Sequence, residues 1–329
     1  MSFSSDVKGE LARLEVKKKE DMLAEISGFL RVAGSIRIKG GGKISIVAST
    51  ENPAIARHYK KLIKEYFGSS SELEIGESEA PGRSNKKSGR YRYSLTIGHE
   101  AKSDRILRET GILMIREGDD YLSDGIYQPI ISRKSAKKAY LRGLFLGCGT
   151  ISDPKKSYHL EFVIKRDGLA QDLKKLIDSF VDMRANLSKR KNSTILYIKK
   201  ADHISDMLGI MGADSAVMTF ENIRLERRIK GEAMRLSNCD NANVDRVISA
   251  AERQLRDIEL IDKTTGINNL PDALKEVAYA RLNNPSLNLT EIGNSLSVPV
   301  GKSAVTKRFN KIREIANNLN GSIKEGNVK

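Results

Sequence analysis

Two nine-residue stretches decide how the chain is read: Ile26-Ser27-Gly28-Phe29-Leu30-Arg31-Val32-Ala33-Gly34 and Leu141-Arg142-Gly143-Leu144-Phe145-Leu146-Gly147-Cys148-Gly149. Each sets apolar residues around an inner glycine, Gly28 or Gly143, and ends on another, Gly34 or Gly149. Such glycines let two helices meet backbone to backbone. Outward from the first stretch, Leu23, Ile26, Leu30 and Ala33 recur every three to four residues, which predicts a helix over Lys19–Val32 stopped by Gly34. Alternation over Ser35–Lys39 and Lys43–Ala48 around Gly40, Gly41 and Gly42 predicts a hairpin. Asn52-Pro53 opens a helix that runs to Phe67 before Gly68. Strands at Glu72–Ile75 and Arg90–Ile97 flank a polar tip, and a helix over Ala101–Ile115 closes an αββαββα unit.

The order repeats around the second stretch. A helix over Ser135–Leu146 leads into strands Thr150–Ser152 and Tyr158–Ile164, turning at Asp153-Pro154. A helix over Leu169–Asp182, strands at Ala185–Ser188 and Thr194–Ile198, and a helix over Ala201–Met211 complete the copy. A period this long is a domain duplication, since solenoid repeats run to roughly 20–50 residues. Residues 215–261 are strongly helical, with one polar interruption at Asn238-Cys239-Asp240-Asn241-Ala242-Asn243. Thr264-Thr265-Gly266 and Pro271 mark the next boundary. The expected division is a helical lead-in (1–18), a duplicated domain (19–215, repeats about 19–117 and 134–213), a helical linker (216–269), an all-helical domain (270–320) and a disordered tail (321–329).

The 329 residues carry 57 Lys+Arg against 42 Asp+Glu, a formal net charge of +15. Residues 1–215 hold net +11, 216–269 are neutral, and 270–329 hold net +4. Two basic ends joined by a balanced segment suggest two modules that bind a polyanion, nucleic acid first of all. Cys148 and Cys239 cannot staple a secreted scaffold, and His58, His99, His159 and His203 are spaced too far apart for a metal pair. No stretch is apolar enough to span a bilayer, so the chain reads as cytoplasmic, with no membrane association and no cofactor.

The paired nine-residue stretches resemble the LAGLIDADG signature of homing endonucleases, and the αββαββα order resembles that fold. The resemblance implies a saddle-shaped sheet on DNA, with an acid at the end of each helix holding divalent metal for phosphodiester hydrolysis. Here those positions are Ala33 and Cys148, neither of which offers oxygen to a hard cation. Asp153 has no counterpart in the first repeat, and no His neighbours Cys148 in sequence to activate it. No catalytic or metal-binding residue is therefore assigned.

Basic residues mark the second hairpin of each repeat: Arg83, Lys86, Lys87, Arg90 and Arg92 in the first, Lys189, Arg190 and Lys191 in the second. They read either as phosphate contacts along a DNA groove or as solvated turns. The carboxy-terminal pattern is more specific. Leu289–Leu296 reads as a short amphipathic helix, Ser297-Val298-Pro299-Val300-Gly301 as a turn, and Lys302–Ile315 as a second helix. Small Gly293 with apolar Leu296, Val298 and Val305 fits the steric plan of a helix-turn-helix, and Asp272–Leu282 supplies the third wall. On the second helix Val305, Phe309 and Ile312 share one face. Ser303, Lys307, Asn310 and Lys311 lie opposite, and with Lys302, Thr306 and Arg308 they form the expected DNA-reading set. Arg224, Arg227, Arg228 and Lys230 make a local basic patch on the linker, read as a solvated helix or as a further DNA contact.

Together these pieces resemble the WhiA family. The similarity extends to Met1-Ser2-Phe3-Ser4-Ser5-Asp6-Val7-Lys8-Gly9-Glu10-Leu11, to Asn238–Asn243 followed by Ala250-Ala251-Glu252-Arg253-Gln254, and to Leu289–Ile312. The resemblance implies a degenerate LAGLIDADG domain, a helical linker and a carboxy-terminal helix-turn-helix. It also implies sequence-specific binding of double-stranded DNA without cleavage, nucleoid association, and transcriptional regulation in sporulation or in cell division and chromosome segregation. Transcription machinery or another regulator is a further implied partner. The competing readings are a catalytic homing endonuclease or maturase and a protein-binding adaptor.

Overall fold

The computed structural model describes residues 2–39, 43–77 and 91–326. Gly40 to Gly42, and the hairpin tip with Arg83, Lys86, Lys87 and Arg90, lie outside them. The chain forms two compact units, residues 1–227 and 228–329.

In the amino-terminal unit, helix α1 (Phe3–Leu11) precedes the first repeat: α2 (Lys19–Ala33), β1 (Gly34–Lys39), β2 (Lys43–Thr50), α3 (Pro53–Phe67), β3 (Glu72–Glu77), β4 (Tyr91–Ile97) and α4 (Ser103–Glu109). A short hairpin, β5 (Leu113–Arg116) and β6 (Asp119–Leu122), leads to the second: α5 (Lys134–Cys148), β7 (Gly149–Ile151), β8 (Leu160–Ile164), α6 (Asp167–Asp178), β9 (Asn186–Arg190), β10 (Ser193–Ile198) and α7 (Ala201–Met211). The two main sheets are antiparallel and share one topology, β1-β2-β4-β3 and β7-β8-β10-β9, as a duplication requires. Local chemistry sets the boundaries. Asn52 Oδ1 accepts from the Ala54 N–H at 2.9 Å, Pro53 opens the first turn of α3, and Gly68 ends it at φ +67°.

Alternate strand residues, Ile46, Ala48, Leu95 and Ile97 in one sheet and Leu160, Phe162, Leu196 and Ile198 in the other, join α2 and α5 in one core. Within it, the Phe29 and Tyr59 rings stack at 3.7 Å. Helix α1 belongs to this core: Val7 and Leu11 are fully buried, each worth roughly 1.5–3 kcal/mol. Both Glu10 carboxylate oxygens accept backbone N–H groups at the start of α8 (Asp214–Thr264), from Ser215 at 2.7 Å and Ala216 at 3.0 Å.

The carboxy-terminal unit packs α9 (Asp272–Asn283), α10 (Leu289–Asn294) and α11 (Lys302–Gly326) with the end of α8 around Ile258, Ile261, Val277, Ile292, Val305 and Ile312.

Three expectations need correcting. The helix expected over Ala101–Ile115 stops at Glu109, and the β5–β6 hairpin follows. Glu117 and Gly118 turn it with φ of +55° and +95°, so the overlooked signal was a two-residue turn suited to glycine. The polar interruption expected at Asn238–Asn243 is absent: α8 runs unbroken through it. Asparagine costs well under about 1 kcal/mol per residue in an exposed helix, too little to break one that is anchored at both ends. The tail expected from residue 321 is helical through Gly326, because Ala316 and Leu319 extend the packed face of α11 beyond Ile315. Among the described residues, no helix is long and apolar enough to cross a membrane.

Candidate nucleic-acid interface

The candidate interface is built on α10 and α11. Asn288 caps α10 by accepting from Thr290 N at 2.9 Å and Glu291 N at 3.1 Å, while Glu291 Oε2 accepts from Asn288 N at 2.7 Å. A Cβ on Gly293 would stand 2.2 Å from the Val300 carbonyl oxygen and 3.1 Å from Val305 Cγ2. Only glycine lets the turn and α11 come this close. Leu296 is buried as expected, but Val298 is 71% exposed, so it does not pin the angle. Val300 does so instead: it packs on the core, and its N–H donates to Gly293 O at 3.0 Å.

Val305, Phe309 and Ile312 of α11 face inward. Lys302, Ser303, Thr306, Lys307, Asn310 and Lys311 are exposed. From Lys302 to Arg313 the helix carries five cations and no acid, and the structure sorts them. Arg308 lies 3.8 Å from Glu276 of α9, and Arg313 lies 3.9 Å from Asp257 of α8. Among the described residues Lys302, Lys307 and Lys311 form no ion pair. The outward face thus presents three lysines with Ser303, Thr306 and Asn310 between them, the donor and acceptor set that base edges and phosphates require. Thr306 also donates its hydroxyl to Lys302 O at 2.8 Å.

Two supports of this face were not legible in the sequence. Arg281 is 2% exposed; it donates to Gln254 Oε1 at 3.0 Å and to the carbonyls of Pro285 at 3.2 Å and Leu287 at 2.5 Å, and stands 5.6 Å over the Phe309 ring. Burial lowers its pKa, and these bonds fix the chain between α9 and α10. Glu276 accepts from the Ser297 N–H, which holds its carboxyl below the usual range and ties α9 to the turn.

In the amino-terminal unit the helices α2 and α5 meet as the glycines imply. A Cβ on Gly28 would lie 2.4 Å from Tyr140 O, and one on Gly143 would lie 2.2 Å from Glu25 O. Ala33 and Cys148 are the last residues of the two helices. Burial pushes the Cys148 thiol up to about 12, so at neutral pH it stays protonated. Among the described residues no three His, Cys, Asp or Glu side chains gather as a metal site would need. Between the helices a charged cluster replaces symmetry. Glu25 is fully buried, accepts from Arg142 Nε at 2.8 Å and Nη2 at 2.6 Å, and lies 2.7 Å from His58 Nε2. Nothing in the spacing of these three residues announces the cluster.

The hairpin residues divide. Lys189 is drawn 3.0 Å to Asp167, whose carboxyl is held low by the Thr194 hydroxyl and then by Lys189. Arg190 and Lys191 are exposed and form no ion pair among the described residues. Arg92, also exposed, lines a cleft with α1 and α3. Lys86, Lys87 and Arg90 lie outside the described residues.

Three family models match in succession: the WhiA N-terminal LAGLIDADG-like domain over residues 19–113, the WhiA LAGLIDADG-like domain over 137–230, and the WhiA C-terminal HTH domain over 233–316. The probable cell division protein WhiA of Thermoanaerobacter pseudethanolicus is 43% identical over 319 residues, 97% of this chain and 98% of that protein. The chain belongs to the WhiA family. The WhiA relative from Clostridium beijerinckii, also named a probable cell division protein, is 40% identical over 322 residues, 98% of this chain and 100% of that one. Full-length DUF199/WhiA from Thermatoga maritima superposes with a TM-score of 0.58 at 26% identity, covering 97% of this chain and 99% of that one. The exposed face of α11 therefore belongs to a WhiA helix-turn-helix domain.

Proposed function

We propose that this protein is a non-catalytic, sequence-specific binder of double-stranded DNA, acting as a transcriptional regulator in cell division or sporulation. It works in the cytoplasm on the nucleoid, and transcription machinery or another regulator is its second partner. The observation that carries the reading is the outward face of α11, where Lys302, Lys307 and Lys311 form no ion pair among the described residues and surround Ser303, Thr306 and Asn310, while Arg308 and Arg313 are turned toward carboxylates. Lys307 and Asn310 contact base edges, and Lys302 and Lys311 contact phosphate. Arg190 and Lys191 contribute secondary phosphate contacts, and Arg92, Lys86, Lys87 and Arg90 extend that set, while Lys189, held by Asp167, contributes least. The absence of acid at Ala33 and Cys148 supports binding without cleavage. The cell-division role draws on the names of the relatives, and the sporulation role on the family resemblance.

The test is a titration of each variant against specific and scrambled duplexes, at one salt concentration, once immunoprecipitated chromatin has supplied the site. Lys307→Ala should cost about 1–3 kcal/mol on the specific duplex and much less on the scrambled one. Lys311→Ala should weaken both alike. If Lys307→Ala and Asn310→Ala both bind the specific duplex as wild type does, α11 is not the reader, and a protein-binding adaptor becomes the better account. Plasmid incubated with excess protein and Mg²⁺ or Mn²⁺ should stay supercoiled. Linearisation that survives repurification would restore the nuclease reading.

A further inference from the structure

A wide cleft lies in the amino-terminal unit. It measures about 1120 Å³, between the first turns of α1 and α3, the ends of β2 and β4, and the last turn of α5. Four cations line it, Lys8, Arg13, Arg57 and Arg92, against two carboxylates, Asp6 and Glu51. Among the described residues none of these six is engaged in an ion pair. Arg13, Arg57 and Arg92 are exposed, while Lys8 is half-buried, 5.9 Å over the Phe145 ring. Burial lowers the Lys8 pKa, and the Glu51 carboxylate opposes that shift only in part. A partly desolvated ammonium outside any ion pair carries a cost that a bound anion would offset.

We propose that this cleft binds a phosphorylated sugar. Lys8 and Arg57 meet the phosphate, an ammonium as a point charge and a guanidinium as a fork. The first turn of the fifteen-residue α3 adds only its dipole to the same end, since Asn52 already accepts the Ala54 N–H and Pro53 has none. Asp6 and Glu51 are acceptors for sugar hydroxyls, a task that carboxylates perform and that a purely anionic ligand would leave unfilled. Among the described residues the lining contains no aromatic ring, so none of them offers a stacking platform for a nucleobase. The volume exceeds what a free phosphate needs and lies just above the roughly 300–1,000 Å³ of small-ligand sites. This inference is independent of the DNA-reading role of α11.

Calorimetric titration of the full-length protein at fixed ionic strength tests it, with glucose-6-phosphate, ribose-5-phosphate, glucose, inorganic phosphate and AMP as probes. At least one sugar phosphate should bind saturably, more tightly than inorganic phosphate, while glucose gives no heat of binding. AMP should bind no tighter than ribose-5-phosphate, because its base finds nothing to stack on. Lys8→Met and Arg57→Ala should each weaken the sugar phosphate at least about tenfold, the effect of one lost charge-assisted hydrogen bond. Duplex affinity should be unchanged in both. Arg57 is exposed on α3, so its variant reports even if Lys8→Met fails to fold. The proposal is overturned if neither sugar phosphate saturates, if inorganic phosphate binds as tightly, or if both folded variants bind as wild type does. AMP binding about tenfold tighter than ribose-5-phosphate would make the cleft a nucleotide site instead. Weakened duplex binding in Arg57→Ala, without sugar phosphate binding, would assign its phosphate partner to the DNA backbone.

Discussion

The α2–α5 pair and the α10–α11 pair use one packing device for opposite ends. Gly143 meets Glu25 O and Gly293 meets Val300 O, each at 2.2 Å from where a Cβ would stand. Around Gly143 the approach encloses charge: Glu25, Arg142 and His58 are sealed between helices, and the helix ends at Ala33 and Cys148 offer no oxygen to a hard cation. Around Gly293 the approach does the reverse, bracing α11 so that its polar face stays in solvent. The same contact serves in one place to enclose charge and in the other to hold a polar helix face in solvent. The chemistry of a helix pair is set by its outward and terminal residues, not by the packing that joins it.

That contrast breaks first at the buried charges. Glu25→Ala leaves the Arg142 guanidinium enclosed without its carboxylate and should destabilise the amino-terminal unit by about 3–5 kcal/mol. Phe309→Ala should cost the carboxy-terminal unit a similar 3–5 kcal/mol, roughly, through a cavity. Urea unfolding followed by hydrogen exchange at α2 and α11 checks both, and exchange should rise in only one unit per variant. If Glu25→Ala is neutral, the cluster is incidental.

The glycines come next. Gly143→Ala and Gly293→Ala should each cost about 1–3 kcal/mol, because backbone must part to admit the methyl group. Unequal losses would show that one of the two approaches relaxes cheaply.

Smaller effects sharpen the comparison at the surface. Replacing Arg190 and Lys191 together should lower the log–log salt slope of duplex binding by about 2 units, at roughly 0.9 per phosphate contact. Adding Lys189→Ala should change it little, since Lys189 is held by Asp167. An unchanged slope in the double variant would make the hairpin a solvated turn. The last is chemical. With its thiol raised to about 12, Cys148 should resist iodoacetamide at pH 8 while exposed Cys239 is alkylated, as read by mass spectrometry. Rapid labelling of Cys148 would mean that the end of α5 opens readily.

Residues close in sequence carried most of the architecture. Asn52-Pro53 with Gly68 bounds α3, the Gly28 and Gly143 motifs pair α2 with α5, and a period of three to four places Val305, Phe309 and Ile312 inside and Lys307 and Asn310 outside. These signals are local, because capping, turn chemistry and helical periodicity act within a few residues. What acts across the chain was not legible. Val298 is apolar yet exposed, since the turn geometry gives Val300 the core contact. Arg308 and Arg313 look like their neighbours Lys307 and Lys311, and are set apart by Glu276 and Asp257 on other helices. Glu25 finds Arg142 across 117 residues of sequence, and Lys8 joins Arg57 and Arg92 in one cleft by tertiary packing alone. A charge can be counted from the sequence, but the partner that neutralises it is chosen by the fold, because Coulomb pairing depends on distance in space.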